Sequence, residues 1–282
     1  MTIPPDLFDP DLLARRRARA AAAPADFLQA TVAAEVSERL KEVNRTFRAP
    51  VVIGPRAALW AAILESDGLP APDLRPDAPV LDLAPQSRDL VIHALALHWA
   101  NDPVGQLVQC RRALRPDGLF LAALFGGETL HELRAALAEA EIAETGGLSP
   151  RVAPMGEIRD LGGLLQRAGL ALPVGDTSRF DVTYADALAL MRDLRAMGET
   201  AVLRERLRRP TPRRLFARAA AIYAERFPAP GSRIRATFDV VFLTGWAPDA
   251  SQQKPLRPGS ARMRLAEALG APERSAGEKA GR

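Results

Sequence analysis

The chain is nearly without cysteine and lysine. Its one cysteine, Cys110, excludes an internal disulfide and any zinc site built from cysteines. Only three lysines occur, Lys41, Lys254 and Lys279, so the formal net charge of +4 rests on arginine. Histidine is as scarce, with three in 282 residues. No apolar run approaches the roughly 18 residues a membrane-spanning helix needs, so no span is expected. The opening "LLARRRARAAAAP" lacks the apolar centre of a signal peptide and follows Asp6, Asp9 and Asp11. It reads as the first helix of a cytoplasmic protein.

What is present is an ordinary globular composition, 48% hydrophobic and 26% charged, on a chain long enough to bury a sizeable core. Residues 12–48 read as helical, because Phe27, Leu28, Val32, Val36 and Leu40 recur at helical spacing behind Asp26. Short β-like runs follow at 50–53, 80–83, 89–95, 118–124 and 235–243. They alternate with helical stretches at 55–65, 103–114, 127–144 and 157–168, the last ended by Gly169. Such alternation predicts an α/β fold, a parallel sheet with helices on both faces. Residues 185–226 read as all-helical, an insertion capping one edge of the sheet. The organisation expected is a helical segment at 1–48, an α/β domain over 49–184 and 227–269, the insertion at 185–226, and a disordered tail at 270–282.

Candidate chemistry gathers in residues 88–130. An apolar strand ends near His98-Trp99, a helix starts at Pro103, and "LRPDGLFLAAL" turns into the next strand. In a doubly wound sheet, ligands bind beyond the carboxyl ends of the strands. His98, Trp99, Asn101 and Asp102 would therefore lie at the mouth of a site.

The strand–helix–"LRPDG"–strand order resembles the second half of a class I S-adenosylmethionine-dependent methyltransferase. "LALHW…D" is similar to the branch holding trans-aconitate and malonyl-carrier-protein methyltransferases. "LFGGETLHELR", "GGLSPRVAP", "RDLGGLLQRAGLALPV", "LMRDLRAMGET" and "LTGWAPDASQQKPLRPGSA" narrow the resemblance to the methyltransferase-like complex I assembly factors and their bacterial relatives. It covers about residues 7–269. It implies a Rossmann-like doubly wound sheet, S-adenosylmethionine as cofactor, and a complex I subunit as protein partner. Mitochondrial members are associated with hydroxylating an arginine of such a subunit.

The first half departs from that pattern. Methyltransferases of this fold carry a glycine-rich turn after the first strand, where the backbone approaches the cofactor's amino-acid end. Here "VVIGPRAALW" offers Gly54 alone, and Pro55 removes a backbone N–H. The acidic residue that ends the second strand and binds the ribose hydroxyls has Asp73 or Asp82 as its candidates. The turn either still holds the cofactor through Gly54, His98 and Trp99, or survives as scaffold, which would make the chain a non-catalytic methyltransferase-like assembly chaperone.

Other groups are fewer. His98 is the candidate general base, or a side chain hydrogen-bonded to the loop at Asn101-Asp102. His93 reads as a core histidine. Gly126-Gly127 fits an anion-binding turn or a close helix–sheet crossing. Non-haem iron wants two histidines and a carboxylate, and no His-x-Asp/Glu spacing occurs, so no metal site is expected. Trp246, Gln252, Gln253, Lys254 and Arg257 form a proline-limited loop able to meet a substrate or partner. The arginine run at 204–218 matches no nucleic-acid motif and reads as a solvated helical hairpin, so no nucleic acid is expected.

Overall fold

The computed structural model describes residues 6–253 and 270. The chain divides into a compact unit running to Pro248 and a second unit from Asp249 onward. The first unit holds eight helices and one seven-stranded sheet among the described residues.

Two helices come first, α1 (Pro10–Ala20) and α2 (Phe27–Glu42). Asp9 caps α1 by accepting from the Leu12 N–H at 3.0 Å, and Pro10 stands where its missing N–H costs nothing. A single helical segment over 12–48 is therefore not what forms. The chain turns around Pro24, and nothing after Glu42 is helical until Ala57.

The central strands β1 (Pro50–Ile53), β3 (Arg88–Ala94) and β4 (Leu114–Gly126) are parallel neighbours. Their middles are apolar on both faces, as a sheet covered by helices on both sides requires. Helices α3 (Ala57–Ser66), α4 (Pro103–Ala113), α5 (His131–Thr145) and α6 (Ile158–Arg167) follow in turn. Asp102 caps α4 through the Gly105 N–H at 2.8 Å. The "LRPDG" turn survives inside β4 as a bulge, with Asp117 at φ 60° and a register shift against β3.

Strand β2 (Asp73–Arg75) pairs with β1, not the 80–83 run. Pro76 and Pro79 interrupt the chain, Val80 points into solvent, and Asp82 takes φ 44°, so 80–83 cannot enter the ladder. The long strand β5 (Ala171–Tyr184) was not expected. It forms an edge, antiparallel to β7 (Arg233–Trp246), and β7 lies antiparallel to β4. The two-residue β6 (Pro228–Ala229) also pairs with β7. The order is β2-β1-β3-β4-β7-β5.

The 185–226 insertion is helical only in part: α7 (Ala187–Met197), capped by Asp186 and ended by Gly198, and α8 (Arg213–Arg226). Pro210 and Pro212 keep the connection irregular. Leu215, Ala219 and Tyr223 bury α8 in the main core. The arginine run is not a helical hairpin. Arg204 pairs with Asp6, Arg206 with Asp9, and Arg214 and Arg218 with Glu144. The proposed tail at 270–282 lies outside the described residues apart from Gly270. No described helix is long and apolar enough to cross a membrane.

Candidate functional site

The chain steps from β1 to β2 on one side, then crosses back to place β3 on the other. That reversal opens a crevice beyond the carboxyl ends of β1 and β3, where doubly wound sheets hold their ligands. Gly54 closes β1 and a 3-10 turn, Leu97–Trp99, follows β3, so both lie at this edge as the sequence implied.

Gly54 is needed there for contact within the sheet. A Cβ on it would stand 2.5 Å from the Ala94 carbonyl oxygen, and its N–H already donates to the Arg75 carbonyl at 3.0 Å. Asp73 begins β2 at the far edge and is held by Arg75 and Arg88. Asp82 is exposed in the following loop. The acid beyond the carboxyl end of β2 is Asp77, two residues past Arg75, which sequence reading missed. Placing β2 between Pro72 and Pro76 would have revealed it.

Two cavities share Trp99 as a wall. The first, of about 300 Å³, is lined by Asp77, Ala96, Asn101, Asp102 and Gln106, with Phe8 and Leu13 approaching from the N-terminal segment. The N-terminal segment is fixed over this edge. Asn101 grips the Phe8 backbone twice, accepting from its N–H at 2.8 Å and donating to its carbonyl at 3.1 Å. Phe8 meets Trp99 edge-on, and Arg17 bonds Asp77 at 2.5 Å.

The second cavity, of about 160 Å³, is mostly apolar, lined by Phe125, Leu133, Met155, Met191 and Phe238, with Arg151, Arg195 and Glu199 as its charged groups. Glu199 is its buried carboxylate. The Trp99 indole N–H donates to Oε2 at 2.6 Å, and His98 Nε2 stands 3.1 Å from the same oxygen. Burial pushes the Glu199 pKa up, but the charges of His98 and Arg17 and the bonds from His98 and Trp99 outweigh it. The group stays below its ordinary value and is ionised at neutral pH. Its Oε1 is the oxygen left to meet a guest. Glu199 follows the Gly198 that ends α7, inside the "LMRDLRAMGET" stretch, yet no local pattern ties it to His98.

His98 therefore bonds to neither Asn101 nor Asp102, and its ring lies tilted at 59° to Phe125 with centroids 5.0 Å apart. His93 is fully buried, its Nε2 2.9 Å from Gln106 Oε1, and burial lowers its pKa to about 4. Gly126-Gly127 is a close crossing, since a Cβ on Gly127 would meet the Asp239 carboxylate at 2.9 Å. Trp246 ends β7 beside Leu119, at the sheet edge opposite His98, with the Arg45 guanidinium 5.2 Å over its ring. The Gln252 N–H donates to the Asp249 carbonyl, and Gln253 is exposed. Lys254 and Arg257 lie outside the described residues. Among the described residues no three metal-ligating side chains cluster.

A sheet of this order, with antiparallel β7 between β4 and β5 and a cavity at the switch point, is a doubly wound α/β fold of the kind methyltransferases use. Residues 64–122 match the family described as a methyltransferase domain. The arginine-hydroxylase NDUFAF5, mitochondrial, of Danio rerio is 34% identical over 266 residues, spanning 86% of this chain and 82% of that protein. The Dictyostelium discoideum protein of that name is 44% identical over 186 residues, 66% of this chain but only 42% of the relative. A malonyl-[acyl-carrier protein] O-methyltransferase of Halorhodospira halophila is 33% identical over 224 residues, 79% of this chain and 68% of that one. The chain belongs to the NDUFAF5 family.

Proposed function

We propose that this chain binds S-adenosylmethionine in the cavity bounded by Asp77 and Trp99 and acts, in the cytoplasm, on an arginine of a complex I subunit. The observation that carries the reading is Glu199, an ionised carboxylate on an apolar cavity that shares Trp99 with the Asp77 side. The residues at the nucleoside end fit the cofactor. Asp77 offers carboxylate oxygens beyond the carboxyl end of β2, where ribose hydroxyls are bound in such folds.

When bound, the cofactor supplies an activated methyl group. The protein's own contribution is positioning. Phe125, Met155, Met191 and Leu194 admit the aliphatic stem of a long side chain and exclude water. Glu199 Oε1 receives the guanidinium, a charge-assisted bond strengthened by the apolar lining. Trp99 and His98 fix the carboxylate's orientation from the opposite side, so His98 acts as a positioning residue. The name arginine-hydroxylase carried by the relatives supports arginine as the residue acted on. Their name NDUFAF5 supports a complex I partner.

The test is binding of a short arginine peptide and its citrulline counterpart, which has the same shape without charge. The arginine peptide is expected to bind on the order of 10-fold more tightly, with Glu199→Gln erasing the difference. Equal binding of the two peptides by the unaltered protein would overturn the arginine reading.

A further inference from the structure

The second cavity carries opposite charges that do not meet. Glu199 and Arg195 both line it, yet they form no ion pair with each other. Arg151 is already spent: its Nε and Nη2 donate to Glu141 and its Nη1 to Thr211. Arg195 is exposed as well as lining the cavity, so it stands at the mouth. Among the described residues its guanidinium has no hydrogen bond or ion pair.

More positive charge gathers beside it. Arg16 of α1 donates to the Ala201 carbonyl at 2.7 Å, and Ala201 lines the same cavity. Burial lowers the Arg16 pKa, and the charges of Arg206, Arg19 and Arg195 lower it further, with Asp9 opposing them. Arg206 is paired with Asp9. Arg19 is exposed and has no ion pair among the described residues. Like charges held this close repel one another, and an anion arriving from outside relieves that cost.

Resting on the arginine reading above, we propose that the cavity mouth selects a target arginine with an acidic residue close to it in the partner's chain. Arg195 is the selecting residue, and Arg16 and Arg19 reinforce it. Side chains two residues apart in an extended peptide share a face. An arginine that reaches down to Glu199 therefore leaves the side chain two positions away facing the mouth, where Arg195 stands. The occupant is a protein segment and not an anionic membrane. A lipid surface could meet Arg19 and Arg195, but it would leave the cavity behind them unfilled and bring negative charge toward Glu199.

The test is fluorescence-anisotropy binding of short arginine peptides that carry aspartate, asparagine or lysine two positions to either side of the arginine. At about 50 mM salt the aspartate peptide is expected to bind about 5- to 10-fold more tightly than the asparagine peptide, and the gap should close at about 500 mM. Arg195→Glu reverses the order, so that the lysine peptide binds most tightly. Arg19→Glu, on the exposed face of α1, narrows the gap without reversing it. If the aspartate and asparagine peptides bind alike while arginine still outbinds citrulline, the proposal is overturned and the arginine reading stands. An aspartate preference that persists in Arg195→Glu, its fold checked by circular dichroism, also overturns it. Binding to phosphatidylglycerol vesicles that both variants abolish, with no aspartate preference, assigns the mouth to a membrane and overturns it too. If arginine and citrulline peptides bind alike, both readings fall.

Discussion

Single side chains set the chemistry of this site through what surrounds them. Trp99 and His98 share one oxygen of Glu199, which fixes the carboxylate in the wall of the second cavity. His93, one strand-face away, shows the opposite effect of burial. Its pKa falls from 6.5 to about 4 because desolvation outweighs the bond to Gln106 and the charge of Asp77. The unfolded chain therefore takes up a proton at His93 before the folded one does. The stability tied to neutral His93 is intact above pH 6.5 and is lost as pH falls from 6.5 toward 4, by about 3 kcal/mol in total. Denaturant titrations across that range should show a steeper loss for the unaltered protein than for His93→Gln. Parallel curves would contradict the assignment. His98 and Trp99 could be read as site residues because they end an apolar strand. Arg17, Asp77 and Glu199 could not, since each gains its meaning from a partner more than 50 residues away. Arg17 is also one of four arginines between 15 and 19, with nothing local to single it out.

At the scale of elements, α1 is the unusual part, a helix laid across the carboxyl edge of the sheet. Its fixings include the two bonds from Asn101 to Phe8, the Asp9 N–H to the Val202 carbonyl, Arg16 to the Ala201 carbonyl, Arg17 to Asp77, and the pairs Arg204–Asp6 and Arg206–Asp9. Asn101→Ala removes two of them at a cost of about 1–3 kcal/mol. Hydrogen exchange should then quicken across residues 8–20 while β1, β3 and β4 keep their protection. Uniform quickening would show that α1 is not a separately held element. The strands differ in legibility for a physical reason. β1, β3 and β4 are buried on both faces and so read as continuous apolar runs. β2 has three residues between prolines, and β5 is an edge whose side chains are largely wet. Pairing with a neighbour holds those two in place, and pairing leaves little trace in side-chain pattern. The proline-broken 80–83 run looked more apolar than β2 and was the wrong choice for that reason.

For the molecule as a whole, the α/β class and the family were legible from the motifs of the second half, and the NDUFAF5 relatives agree. The division of labour within it was not. The sheet edge brings Asp77 and the segment after α7 brings Glu199 to the two cavities that share Trp99, and Arg17 of the N-terminal helix bonds Asp77. The most direct measurement is calorimetric titration of the full chain with S-adenosylmethionine, beside Asp77→Asn with its fold checked by circular dichroism. Micromolar binding, weakened on the order of 10-fold or more by Asp77→Asn, is the predicted result. No heat up to millimolar ligand, together with an unshifted melting temperature, would contradict it.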